Sequence, residues 1–270
     1  EILLFTDEAA ALEGTSDIYF ANTSHNHYLN MQRNSNLEVG YQYLLFNVEN
    51  THSPIQDLRI RRCIRSMVDG QAMVNELGDE RASAAQRLLP EWEDDTQKLM
   101  FQVRPRMPMR LPKPLKLYTY GTHIVDAQWI KKTLAGFDIE VELNVLEYHL
   151  FEDPNNWLDA DLVLSGEALN TNIEMALYEW FATQRSLRHC MGAAQRDCID
   201  EKIAAAVALP STHLRMQAFR KMDIHLQQEL ILLPLYHHQQ QMHYGDRVQG
   251  LQLNCLGWVD FKNIWFDDGR

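Results

Sequence analysis

Apolar and polar positions along the chain follow two periods. Ile139, Val141, Leu143 and Val145 alternate with Glu140, Glu142 and Asn144, the period of two of a strand with one buried face. Tyr41 to Phe46 is a run of strong β formers. Short apolar runs predict further strands at Ile2–Phe5, Asp17–Phe20, Leu115–Tyr120, Asp161–Leu164 and Ile231–Tyr236. The other period is helical. Ile60, Cys63, Ile64, Met67 and Val68 recur at i, i+3, i+4, i+7 and i+8, as do Ile173, Ala176, Leu177, Trp180 and Phe181. Leu214, Ala218, Met222 and Leu226, spaced by four, predict a helix over about 212–228.

Punctuation between these segments completes the outline. Thr6 and Asp7 can cap a short helix ended by Gly14. The polar stretch Asn22–Asn36 reads as a loop. Gly70 separates the helix over the sixties from a second helical piece at Gln71–Leu77, and Leu89–Asp95 is irregular. Pro105, Pro108, Pro112 and Pro114 make residues 104–114 an extended connection. A helix over about 124–134 is closed by Gly136, another covers about 199–208, and Thr171 with Glu174 forms a capping box. The tail, Val248–Phe266, reads as strand and turn. The unit from Leu115 to Val145, strand–helix–strand, implies a parallel pair with a right-handed crossover, and Asp161–Leu164 is apolar throughout, as a central strand is. The fold class is α/β.

A length of 270 residues allows one large domain or two modest ones. The formal net charge of −12 disfavours direct contact with nucleic acid. The cluster Arg59, Arg61, Arg62 and Arg65 reads as the solvated face of its helix. Cys63, Cys190, Cys198 and Cys255 form no CxxC pair, which points to reduced thiols and a cytoplasmic setting. No apolar run approaches transmembrane length.

Chemistry-bearing residues do not assemble into a catalytic pattern: GxSxG, HExxH, GxGxxG and a phosphate loop are all missing. His25 with His27, and His237, His238 and His243, lack a carboxylate or thiol partner in register, so neither group reads as a metal site. Asp94-Asp95 and Asp267-Asp268 read as solvated pairs. Ser165 to Asn170 follows a central strand and precedes a capped helix, the edge of an open α/β sheet where ligands bind. Gly166 there allows close backbone approach. Two readings stand for this segment: a plain strand–helix loop using its polar groups for capping, and a ligand contact.

The order of segments resembles the family 5 (oligopeptide/dipeptide-type) solute-binding proteins. Tyr43–Asn47 (YLLFN), then a proline, then Asp57–Asp69 (DLRIRRCIRSMVD) is similar to the family signature; the unit Leu115–Val145 and the strings Leu233–Tyr236 (LPLY) and Arg247–Gly250 follow in family order. The ending Leu256–Phe261 (LGWVDF) resembles the solute-binding half of SgrR-type bacterial transcription regulators.

That resemblance implies a type II periplasmic-binding-protein-like fold, with one complete lobe plus part of the other. Residues 1–47 would be part of lobe one, 48–230 the second lobe, and 231–270 the return to lobe one, with hinges near Asn47 and near Leu233–Tyr236. It implies a non-enzymatic, cytoplasmic domain that needs no cofactor and binds a small, sugar-phosphate-like metabolite between two lobes. DNA would be contacted only through a domain absent from these residues. Ser165, Gly166, Glu167, Asn170 and Asn172, with Asn47 and Tyr236, are the expected ligand-binding residues. Peptide-binding members carry a GW…DPD-like acidic segment where this chain reads SGEALNTN, with Glu167 as its one acid. The alternative is an extracytoplasmic peptide-binding receptor of a transporter. A third, an enzyme using His237 and His238, has no nucleophile–base–orienter set behind it. An incomplete first lobe would leave apolar surface exposed and favour self-association.

Overall fold

In the computed structural model, which describes residues 18–20, 32–78, 80–92, 111–254 and 256–267, the β-forming run in the forties becomes the spine of a sheet. In chain order the strands are β1 (Ile18–Phe20), β2 (Gln32–Leu37), β3 (Gly40–Phe46), β4 (Arg81–Ala84), β5 (Leu115–Tyr120), β6 (Val141–Leu146), β7 (Leu162–Ala168) and β8 (Leu232–Tyr244). The helices are α1 (Leu58–Met67), α2 (Gly70–Leu77), α3 (Ile124–Ala135), α4 (Ile173–Thr183), α5 (Arg185–Cys190), α6 (Ala193–Val207) and α7 (Thr212–Gln228). A two-stranded ribbon, β9 (Val248–Gln249) with β10 (Trp265–Phe266), closes the described tail.

The sheet runs β8-β3-β7-β5-β6. As the strand–helix–strand pattern predicts, β5 and β6 are parallel, with Leu117 opposite Leu143. β5 is also parallel to β7, whereas β3 is antiparallel to β7 and to β8. Alternation along β3 sorts the two cores. Tyr41, Tyr43 and Leu45 pack with Trp180, Phe181 and Phe219 from α4 and α7. Leu44 and Phe46 pack with Leu162, Leu164 and the residues of α1 to α3. Because β6 is an edge strand, its apolar face is covered only at the start: Val141 is 6% exposed and Val145 is 41% exposed.

β8 serves two groups of strands. Its first half pairs with β3 and β4, up to Arg81 opposite His238, and its second half pairs with β2 and β1, starting with Leu37 opposite Gln239. Among the described residues the chain passes between the groups at 37–40 and at 238–239, where the Glu38 N–H donates to the His238 carbonyl at 2.9 Å. The passages between strand groups thus lie some residues from the expected lobe boundaries at 47 and 231. β3 and the first half of β8 are bonded to β7 and β4, and so stand with residues 48–230. Asn47 and Leu233 lie within that group and not at the crossing. Gly40, with φ of 145°, is required at the first passage, since a Cβ there would sit 1.9 Å from the Glu167 carbonyl oxygen.

Several local expectations change. Residues 32–36 form strand, not loop, because pairing with β8 outweighs their weak β propensity; Asn34 donates to the Leu251 carbonyl at 3.2 Å. β4 and α5 carried no recognised periodicity. β7 continues through Ala168, so Ser165, Gly166 and Glu167 are strand residues. The cap of α4 is Asn172, whose Oδ1 accepts from the Met175 N–H at 3.2 Å, while Glu174 is held by Arg215. The expected strand at Ile2–Phe5, the helix before Gly14, His25, His27, Asp94, Asp95, most of the proline-rich connection, Cys255 and Asp268 lie outside the described residues.

Candidate functional site

The carboxyl ends of β5 and β7 open beside the one-turn helix Tyr148–Phe151 and the junction of α4 with α5. Tyr120, Tyr148, Phe151, Glu152, Ser165, Gly166, Glu167 and Gln184–Ser186 line a depression there of about 220 Å³. Ser165 and Glu167, two apart on β7, point to the same side, that of Tyr43 and Tyr41, which stand opposite them in register. The Gln184 amide donates to Glu167 Oε2 at 2.5 Å. Burial pushes the Glu167 carboxyl above its usual range, and the bond from Gln184 opposes that shift. Such a carboxylate is stabilised by any donor that a ligand brings.

Aromatic rings form one wall. Tyr120 meets Tyr148 edge-on at 5.1 Å between centroids and Phe151 at 4.9 Å. Burial raises the pKa of Tyr120, while Ser165 and Thr122 lower it. Burial, then the Glu167 carboxylate, pushes Tyr43 upward against the opposing effect of Ser165 and Ser186. At the rim, exposed Arg185 donates to the Glu152 carbonyl at 3.4 Å. The depression thus offers two carboxylates, one guanidinium, hydroxyls and an aromatic wall, the mix of a site for a compact polar solute.

The structure brings Ser165, Gly166 and Glu167 together. Asn170 and Asn172 are exposed and bond locally: Asn170 Oδ1 accepts from the Asn172 N–H at 2.9 Å, and Asn172 caps α4. Asn47 sits at the opposite end of β3, fully buried, donating to the Ala160 carbonyl at 2.9 Å. Tyr236 points to the other face of the sheet, where its hydroxyl donates to Asp126. Neither side chain lines the depression, because strand direction and alternation carry both away from it. Sequence reasoning missed Tyr120, Tyr148, Phe151, Glu152 and Gln184–Ser186. Tyr120 had a signal, since it ends a predicted strand of the strand–helix–strand unit; the others are delivered by tertiary packing.

On that other face lies a polar cluster. Arg81 binds Asp126 through Nε at 3.0 Å and Nη2 at 2.6 Å, with both side chains nearly inaccessible. The Arg81 guanidinium lies 5.3 Å from the Tyr236 ring centroid. The His238 ring packs edge-on to Tyr236 at 4.9 Å, while His237, between them in the strand, turns its Nδ1 to the Gly40 carbonyl at 2.6 Å. Among the described residues no group of three His, Cys, Asp or Glu side chains is placed to hold a metal, and no helix is long and apolar enough to cross a membrane.

No family model matches the chain. Among curated proteins, uncharacterized protein YhjP of Bacillus subtilis is 23% identical over 244 residues, covering 83% of this chain and 39% of its own length. The HTH-type transcriptional regulator SgrR of Yersinia pestis is 23% identical over 243 residues, covering 86% of this chain and 40% of the regulator. The chain thus spans about two fifths of the curated relatives it matches. Among solved structures, NikA from Brucella suis, in complex with Fe(III)-EDTA, superposes with a TM-score of 0.76 at 14% identity, over 96% of this chain and 59% of NikA. A dipeptide binding protein from a Pseudoalteromonas species, in complex with Met-Leu, gives 0.70 at 16% identity, over 96% of this chain and 55% of its own. The chain has the α/β fold of the type II periplasmic solute-binding proteins, its structural neighbours are oligopeptide-binding-like, and its relatives in sequence include the SgrR regulators.

Proposed function

We propose that the chain is the ligand-sensing domain of a cytoplasmic transcription regulator, without enzymatic activity, and that it binds a hydroxyl-rich metabolite of sugar size. The observation that carries this reading is Glu167, half-buried in the depression, held by Gln184 and facing the Tyr120–Tyr148 wall. Hydroxyls of a sugar would donate to Glu167 and accept from Gln184, with an apolar face of the ring against the tyrosines. A phosphate on that ligand would have Arg185 as its counter-charge on this wall. The second wall would come from the strand group of β1, β2 and the end of β8, and closure about the two passages at 37–40 and 238–239 would favour one global state. The SgrR relatives support a regulator, whose DNA-binding part would lie outside these residues.

A second reading, a peptide receptor of a transporter, is favoured by one observation. Glu167 and Glu152 at the rim suit a cationic amino terminus, and the structural neighbours include a dipeptide binding protein. Thermal unfolding with sugars, sugar phosphates and dipeptides side by side separates the two. A ligand at about a hundred times its Kd adds roughly 2.7 kcal/mol, or about 5–10 °C for a domain of this size. The expected result is such a rise with a sugar or sugar phosphate, reduced to less than about a third by Glu167→Ala. A rise with dipeptides alone would establish the receptor reading instead.

A further inference from the structure

Gln42 sits in the middle of the sheet, fully buried, on the face opposite the depression. Its amide N–H donates to His123 Nδ1 at 3.0 Å, and its Oε1 lies 3.4 Å from His238 Nε2. Both ends of the side chain are thus engaged, and each partner has a position of its own. His123 opens α3 and packs edge-on to Tyr120, 4.4 Å between ring centroids, and Tyr120 is part of the aromatic wall. His238 is the last residue of β8 to pair with β4; the next, Gln239, is the first to pair with β2.

Directly across from Gln42 in register stands Gly166. A Cβ at that position would lie 2.5 Å from Gln42 Oε1 and 3.4 Å from His123 Cε1. The glycine therefore does more than admit a ligand to the backbone: it leaves the space that the Gln42 amide fills. A neutral amide suits a place between two imidazoles, because it can donate to one and accept from the other. A hydrocarbon of the same length would leave both rings without this partner inside a cluster that already holds Arg81 and Asp126, where unmet polar groups cost most.

We infer that Gln42 is a positioning residue which ties the aromatic wall at Tyr120 to the crossing at His238–Gln239, so that the shape of the depression and the angle between the two strand groups are set together. The bearing of this link on ligand binding rests on the reading proposed above; the link itself does not. Coupling between a site and a hinge needs a contiguous physical connection, and here it is three side chains long: His123, Gln42 and His238.

The test measures the angle without ligand. Spin labels on non-natural amino acids at exposed Ser35 of β2 and Lys131 of α3 report the distance between the two strand groups by pulsed electron resonance. The wild-type chain is expected to give one narrow distribution. Gln42→Met, close in volume but without the amide, is expected to widen it at least about twofold. His238→Phe, which keeps a ring against Tyr236 but cannot meet Gln42, is expected to do the same, and decides the matter where Gln42→Met fails to fold. Leu44→Val, on the same strand and buried, lowers stability without touching the link and is expected to leave the width unchanged. Wild-type width in both Gln42→Met and His238→Phe, or equal widening in Leu44→Val, overturns the inference. Since no ligand enters, this outcome is independent of whether a sugar, a peptide or neither binds.

Discussion

Replacing Asp126 by alanine is expected to destabilise the fold by about 3–5 kcal/mol, the cost of leaving a buried charge without its partner. Asp126 accepts two bonds from Arg81 and one from the Tyr236 hydroxyl, and the two charged side chains are 3% and 6% exposed. Alanine removes all three bonds at once and leaves a guanidinium in a place that water does not reach. For a domain of this size the loss corresponds to a fall in Tm of about 10 °C, read by circular dichroism. The control is the double variant Arg81→Met with Asp126→Leu. If the single variant suffers from a stranded charge, removing the charge as well recovers most of the loss; if the double variant is as unstable as the single one, lost packing is the cause. Either loss falls where Asp126 of α3 meets Arg81 of β4 and Tyr236 of β8.

How far such a junction can be read from sequence depends on whether a signal is local. β3, α1, α4 and α7 were legible because their apolar residues repeat within a few positions of one another. β2 and β4 were not. Asn34, Asn36, Arg81 and Ser83 carry no apolar face, and they are strands because β8 offers them free backbone groups. At the candidate site, the sequence marks the end of β7 as an edge where a ligand contact or a capping loop is expected, and the structure makes it strand. Read as strand, Ser165 and Glu167 fall on one side and Gly166 on the other, and that alternation separates the lining of the depression from the niche of Gln42. The string LPLY marks a buried strand, but not which face Tyr236 takes; the structure turns it away from the depression, onto Asp126. Gln184 reaches Glu167 across a helix, and Arg81 reaches Asp126 across an intervening connection. No period in the chain announces pairs of that kind; they follow only from packing.

The same packing predicts a response to acid. Burial, the largest cause, holds both His123 and His238 down to about 4, against an ordinary value of 6.5. For His123 the nearby Asp126 opposes the shift, while His238 and Arg81 add to it. For His238 Asp126 again opposes, while Arg81 and His237 add. As pH falls below 6.5 the unfolded chain takes up a proton on each ring, while the folded chain does not until near 4. Stability contributed by the neutral rings is therefore complete above 6.5 and is lost through this window. Each histidine is worth on the order of 3 kcal/mol over the full window at 1.36 kcal/mol per pH unit. His189 and His225, also lowered chiefly by burial, act in the same direction. Glu38 and Glu167, raised chiefly by burial, act against it, since their protonated forms suit the fold. Exposed carboxylates lowered by a bonded cation, such as Asp159 beside Lys116, lose their contribution only below their usual range. The net expectation is a loss of several kcal/mol between about pH 6.5 and pH 4.5, a large part of the stability of an ordinary domain. Urea unfolding at intervals across that range measures it. A midpoint that does not move would contradict the buried, neutral state of the two rings. In His238→Gln, whose side chain cannot titrate, the slope is expected to fall by roughly half, because the folded and unfolded states then differ by one fewer proton at the crossing between the strand groups.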